Sequence, residues 1–322
     1  VHQIGISLGD PAGIGPEVVA RALAERPDLD VIVYGDRRVL DAAATAAGVR
    51  PVPPRQIVAV TVLGPDDVVA GRPDDTSGQA QLDYLNAATD AALAGDIAAL
   101  VTAPISKSWI ARAGFTFPGH TEYLAARAGV ADYAMMLAGP QLRVTVATTH
   151  IALRDVAGAL TPEQIATAIV LTAAALHDAF GIDRPRVAVA GLNPHAGEEG
   201  RFGDEEARLV SPALTLANAR LHARQCSADV SGPHVPDAVF RQAALGRFDA
   251  VVALYHDQGL IPVKLLHFDD AVNFTLGLPF VRTSPDHGTA YDIAGRGQAR
   301  ADSFLAALDL AARLTAREAR SA

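Results

Sequence analysis

Two textures of apolar residues alternate along the chain. Short runs rich in Val and Ile, at 3 to 8, 31 to 35, 56 to 63, 98 to 103, 142 to 149, 186 to 192 and 249 to 255, read as strands. Longer stretches with apolar residues three and four apart read as helices, at 16 to 25, 38 to 47, 77 to 94, 121 to 128, 161 to 180, 204 to 223, 236 to 245 and 301 to 318. Strands alternating with helices predict an α/β fold with a mainly parallel sheet. Helix starts carry their own signals: Pro16 suits a first turn, and Thr161-Pro162-Glu163 offers an N-cap, a proline at N1 and an acidic first turn. Two late runs, Val272 to Leu276 and Phe280 to Thr283, flank Gly277-Leu278-Pro279 and read as a strand pair with a tight connection. No linker or internal repeat is visible, so the domains are expected to interleave.

Composition narrows the function classes. The 322 residues suggest about two domains. Half are apolar and 20% charged, which excludes a largely disordered chain. The formal charge of −9, without a basic block, argues against a nucleic-acid or anionic-membrane partner. An anionic ligand must then meet local cations. The one cysteine, Cys226, allows neither an intrachain disulfide nor a Cys-based zinc site, and fits a reducing cytoplasm. No apolar run approaches the roughly 18 residues of a membrane span, and Ile165 to Leu176 reads as a packed helix. The start, Val1 to Ile6, has neither a charged region nor an apolar region of a signal peptide, so no targeting signal is expected.

Three histidines share one position in this pattern. His150, His195 and His256 each follow the end of an expected strand. Ligands of open α/β sheets bind at that edge, and three neutral imidazoles converging there make a divalent-metal site with room for substrate. Any one of them alone reads more readily as a plain loop residue, and it is the three in one setting that point to a metal. Around them, Asn193 to Glu198 and Tyr255 to Gly259 are densely polar, which suits a site. His120 and Thr121 precede a helix whose free N–H groups could hold a phosphate or carboxylate, and Thr121 could equally be its N-cap. Lys264, Asn273 and Arg282 sit in a largely apolar stretch, so the cations need an anionic ligand or a structural partner such as Asp269 or Asp270. Asp237 is a helix-initiating residue or a member of the site. Neither Gly9 to Glu17 nor His287 to Gly295 is G-x-G-x-x-G, so a dinucleotide needs a different geometry from the Rossmann turn. Without a ligand, the first segment reads as a tight strand-to-helix loop and the second as a short helix stopped by glycine.

The chain resembles the 4-hydroxythreonine-4-phosphate dehydrogenases of pyridoxal-phosphate biosynthesis. The resemblance is carried by Gly9 to Glu17, Val101 to Lys107, Phe117 to Glu122, Ala147 to His150 with Leu153-Arg154-Asp155, Gly191 to Glu198, Tyr255 to Gln258 and Val272 to Gly295. It implies the isocitrate/isopropylmalate dehydrogenase-like fold, with two α/β/α domains and a cleft between them. Residues 1–118 plus 271–322 are expected to form the first domain, and 119–270 the second, with the metal ligands and dimerisation. Carried over by position, the metal ligands are His150, His195 and His256. The substrate contacts are His120, Thr121, Lys264, Asn273 and Arg282, and the candidate catalytic groups are Lys264 and Asp237. Cofactor contacts are expected at Asn193, His287, Gly288, Ala290 and Asp292.

The implied enzyme uses NAD or NADP and one divalent ion (zinc, magnesium or cobalt) to oxidise a secondary alcohol of a phosphorylated substrate to a β-keto acid that decarboxylates. It is a homodimer whose active site draws on both subunits. Related enzymes act on 4-phospho-threonate, 4-phospho-erythronate or carboxylated cis-dihydrodiols, which are the alternatives within the family. A metal-dependent hydrolase or aldolase, or a sugar-phosphate-binding protein, is the alternative of another class.

Overall fold

The computed structural model describes residues 3–321; Val1 and His2, part of the stretch read for a leader, lie outside them. The chain forms two compact units, one running to Val130 and resuming at Leu278, the other Ala131–Gly277. His120 and Thr121 thus join the first unit and Val272 to Leu276 the second, both boundaries falling later than expected from the sequence. In chain order the first unit starts with β1 (Ile4–Ser7), α1 (Gly15–Glu25), β2 (Val31–Gly35), α2 (Arg37–Ala47), β3 (Ile57–Ala59) and α3 (Asp75–Ala94). It continues with β4 (Ala99–Thr102), α4 (Lys107–Arg112) and α5 (His120–Arg127). The second unit holds β5 (Ala134–Ala138), β6 (Arg143–Val146), α6 (Val156–Ala159), α7 (Pro162–Asp178), β7 (Arg186–Ala190), α8 (Ser211–Ala223) and β8 (Asp229–His234). It ends with α9 (Pro236–Ala244), β9 (Ala250–Ala253), α10 (His256–Leu266) and β10 (Val272–Leu276), after which β11 (Val281–Pro285) and α11 (Asp302–Ser321) return to the first unit.

In the first unit the strands are all parallel, in the order β3-β2-β1-β4-β11. In the second the order is β10-β5-β6-β9-β7-β8, with β5 antiparallel to both neighbours and the rest parallel. Its strands are covered on both faces, and the period of two shows how. Val187, Val189, Ala250 and Val252 belong to one core with Ile165, Ile169 and Leu221 of α7 and α8. Ala188, Ala190, Val251 and Ala253 belong to another with Val239, Phe240, Leu260 and Val263 of α9 and α10. The Ile165 to Leu176 stretch is therefore a core helix as expected, and no single helix among the described residues is long and apolar enough to cross a membrane.

Helix α10 escapes a reading of the sequence because it contains both Gly259 and Pro262. Gly259 is there for contact: a Cβ would lie 2.8 Å from Cγ1 of Val144 and 3.0 Å from Cγ1 of Val146, both stiff strand side chains. That close approach seats the start of α10, and with it His256, directly on β6 and β9.

Candidate active site

The three strands that precede His150, His195 and His256 are β6, β7 and β9, which lie side by side and parallel in the order β6-β9-β7. Their C-terminal ends share one edge, and side chains tie those ends together. Thr148 Oγ1 donates to the Leu254 carbonyl over 2.7 Å, joining the ends of β6 and β9. Gln258 Nε2 donates to the Gly191 carbonyl over 2.7 Å while its Oε1 accepts from the Leu254 N–H over 2.7 Å, joining β9 to β7. Buried Glu206 holds the loop after β7, accepting from the backbone N–H of Leu192 at 2.8 Å and of Asn193 at 2.7 Å. Buried polar groups so fully bonded fix a loop firmly.

This framework brings His150 and His256 together, with ring centroids 5.8 Å apart. His256 Nδ1 is hydrogen-bonded to Asp257 Oδ1 at 2.7 Å, which leaves Nε2 for another ligand. Adjacent imidazoles with one oriented by a carboxylate have the chemistry of a transition-metal site. His195 stands differently. It begins a run of left-handed residues, with φ of 53°, 54°, 82°, 43° and 55° from His195 to Glu199, and its ring lies 6.0 Å from that of Phe202. Left-handed backbone costs about 1–2 kcal/mol for each non-glycine residue, so this turn persists only where its surroundings impose it, and Glu206 anchors the residues just before it. Among the described residues no three His, Cys, Asp or Glu side chains form a complete metal cage.

A cavity of about 790 Å³ opens beside His195, with Asn193, Asp237 and Asp257 on its polar side and Phe240, Ile261 and Leu265 on its apolar side. Asp237 serves both readings, since it lies in the first turn of α9 and faces this cavity. The Asn193 side chain is held within the loop, its Nδ2 donating to Glu205 over 2.7 Å and to Glu206 over 3.0 Å. That hydrogen bond holds the Glu205 carboxyl below its usual range. Lys264 lies in the last turn of α10, the helix that His256 begins. Asp270, a candidate partner for the cations, is engaged instead by buried His267 Nδ1 at 3.0 Å. Asn273, on β10, has its Oδ1 shielded from solvent without a hydrogen-bond partner.

The first unit gathers a cationic pocket. Arg282, on β11 and 2% exposed, donates to Thr102 Oγ1 on β4 over 2.6 Å. Burial pushes its guanidinium down to about 10, which leaves it a cation at neutral pH. Burial first, then the charges of Arg282 and Lys107, hold the His120 imidazole well below its ordinary value, so it is neutral there. His120 Nε2 is sealed from solvent with no partner. Thr121 is not the N-cap of α5: Gly119 takes that position, and no side chain closes the first turn. A helix N-terminus without a side-chain cap, a buried guanidinium and an unsatisfied imidazole nitrogen suit an anion. Lys107, in the quoted Val101 to Lys107 motif, is the member that sequence reasoning missed.

The His287 to Gly295 segment is a series of turns rather than the short helix expected, so Asp292 caps no helix and is exposed. The Thr289 carbonyl accepts from the Ile14 N–H over 2.9 Å, and Arg21 donates to the Gly297 carbonyl over 2.6 Å. His287 and Ala290 are partly exposed and Gly288 exposed, so this stretch offers surface to a ligand.

Comparison with known proteins bears on this arrangement. Residues 28–311 match the family described as pyridoxal phosphate biosynthetic protein PdxA. The chain is 50% identical over 324 residues, 96% of its length and 94% of the relative's, to the 4-hydroxythreonine-4-phosphate dehydrogenase of Desulfosudis oleivorans. The crystal structure of the 4-hydroxythreonine-4-phosphate dehydrogenase from Klebsiella pneumoniae is similar, with a TM-score of 0.83 and 40% identity, covering 97% of this chain and 99% of that one. A terephthalate 1,2-cis-dihydrodiol dehydrogenase from Burkholderia xenovorans LB400 is also similar, with a TM-score of 0.69, 30% identity and 97% of each chain covered.

Proposed function

The chain belongs to the family of the pyridoxal phosphate biosynthetic protein PdxA, and from that premise we propose that it oxidises 4-hydroxythreonine 4-phosphate with NAD or NADP. The product is a β-keto acid that loses carbon dioxide to leave 3-amino-2-oxopropyl phosphate. The observation that carries the substrate class is buried Arg282 beside half-buried His120, whose Nε2 is shielded and unsatisfied, a setting suited to an anionic group.

The chain's own residues divide the work. Arg282, Lys107, His120 and Thr121 hold an anionic group and so orient the substrate. Lys264 and Asn273 bind its other polar groups, and Lys264 and Asp237 are the groups that move protons. His287, Gly288, Ala290 and Asp292, with Asn193 as a further contact, would hold the dinucleotide, which would supply the hydride acceptor. His150 and His256, with His195 as third ligand, would hold a divalent ion, zinc by the chemistry of imidazole donors, which would supply Lewis acidity to the reaction. The pair fits such an ion, and the shared edge of β6, β9 and β7 supports adding His195.

The partner is a second copy of this chain, with the active site completed across the dimer. Support comes from the apolar surface of the second unit, where Leu245, Ile261, Leu265 and Phe268 are all more than half exposed.

Likeness to the cis-dihydrodiol dehydrogenase favours a second reading, in which the substrate is a carboxylated cis-dihydrodiol. A panel decides. Purified protein with a divalent metal and NAD or NADP is expected to form reduced dinucleotide with 4-hydroxythreonine 4-phosphate at least about tenfold faster than with its dephosphorylated form, the loss expected for one charged hydrogen bond. Faster turnover of a carboxylated cis-dihydrodiol would replace the first reading with the second.

A further inference from the structure

Tyr291 stands in the middle of the His287 to Gly295 segment, and its hydroxyl donates to Asp10 Oδ2 over 2.5 Å. Asp10 is fully buried in the loop between β1 and α1. Its Oδ1 accepts from the Ala12 N–H over 2.8 Å, and its Oδ2 also accepts from Gln81 Nε2 over 3.2 Å. Gln81, itself buried in α3, turns its Oε1 to the Ser106 N–H over 2.8 Å, one residue before Lys107. A single carboxylate thus joins the loop after β1, the helix α3 and the proposed dinucleotide segment, and through Gln81 it reaches the edge of the cationic pocket.

The bond has something to hold. Ala290, next to Tyr291, sits at φ 41°, a left-handed conformation that alanine adopts only when its surroundings impose it. On the other side of Ala290, Thr289 packs against Gly13, where a Cβ would come within 3.0 Å of the Thr289 side chain. Burial raises both the Asp10 carboxyl and the Tyr291 phenol from their ordinary values, so the phenol keeps its proton and remains the donor. Neither residue is needed for any step assigned above.

We infer that Tyr291 and Asp10 are positioning residues for the dinucleotide: their bond fixes the strained turn that presents Ala290 and Asp292. The inference rests on the proposal that this segment receives NAD. Tyr291→Phe removes one hydroxyl and leaves the ring. In the metal-loaded enzyme it is expected to raise the Kd and KM for NAD about five- to tenfold, the loss of one hydrogen bond, with kcat at saturating NAD and the substrate KM within about twofold. Asp10→Asn is expected to act in the same direction, since an amide NH2 in place of Oδ2 no longer accepts from Tyr291 and also opposes Gln81 Nε2, and the double variant is expected to lose less than the product of the two single effects because they share one bond. A purely structural bond would lower the melting temperature of Tyr291→Phe and leave its affinity for NAD unchanged, which would overturn the inference while the dinucleotide reading stands. Wild-type protein that binds no NAD in a calorimetric titration would overturn both.

Discussion

Alanine at His150 or His256 is expected to lower kcat by about a thousandfold and to strip the divalent ion from the purified protein. The size follows from the several kcal/mol that a Lewis acid contributes to such a reaction. The two rings lie side by side on a strand edge braced by Thr148 and Gln258, with His256 oriented by Asp257, so each supplies a donor that the other alone does not replace. Elemental analysis and steady-state kinetics on each variant check the result together. His195→Ala is the most informative of the series, because His195 sits on a left-handed turn apart from the other two. Loss of metal in that variant places it with them, whereas full occupancy with full activity removes it from the site. Melting curves close to wild type are expected for His150→Ala and His256→Ala, since both histidines lie at the solvent edge of the sheet rather than in either core.

Arg282→Met keeps the length of the side chain and removes its charge. The KM for the phosphorylated substrate is expected to rise about ten- to hundredfold, which corresponds to about 1.5–3 kcal/mol for a charged hydrogen bond, while the KM for NAD stays within about twofold. Arg282→Lys should recover only part of the loss, because an ammonium cannot reproduce the planar fork that already spends one arm on Thr102. The dephosphorylated substrate serves as the internal control: its slower turnover should change little in Arg282→Met. If the variant melts earlier yet shows an unchanged KM for the phosphorylated substrate, then Arg282 is a strut between β11 and β4 and the anionic group binds elsewhere.

The histidine edge was legible in the sequence because parallel strands announce themselves. Runs such as Val251 to Leu254 are apolar on both faces, and a histidine just past such a run can only lie at the strand's C-terminal end. What could not be read was the order β6-β9-β7, which makes neighbours of three segments far apart in the chain. Helix α10 was hidden by Gly259 and Pro262, although the glycine is required by the packing against Val144 and Val146. Strand β8 was hidden in the same way by Gly232 and Pro233, and β5, Ala134 to Ala138, by its lack of β-branched residues. In the first unit, Arg282 stood out as a cation in an apolar run, but nothing local connects it to Lys107 or His120. Their proximity comes from tertiary structure, as does the bond between Asp10 and Tyr291, whose partners are 281 residues apart.

One site is expected to carry out oxidation and decarboxylation in sequence. The direct measurement is the ratio of carbon dioxide released to NADH formed when metal-loaded protein turns over 4-hydroxythreonine 4-phosphate. One carbon dioxide is expected for each NADH, with both lost on chelation and both restored by added metal. NADH without carbon dioxide, or turnover indifferent to the chelator, would contradict it.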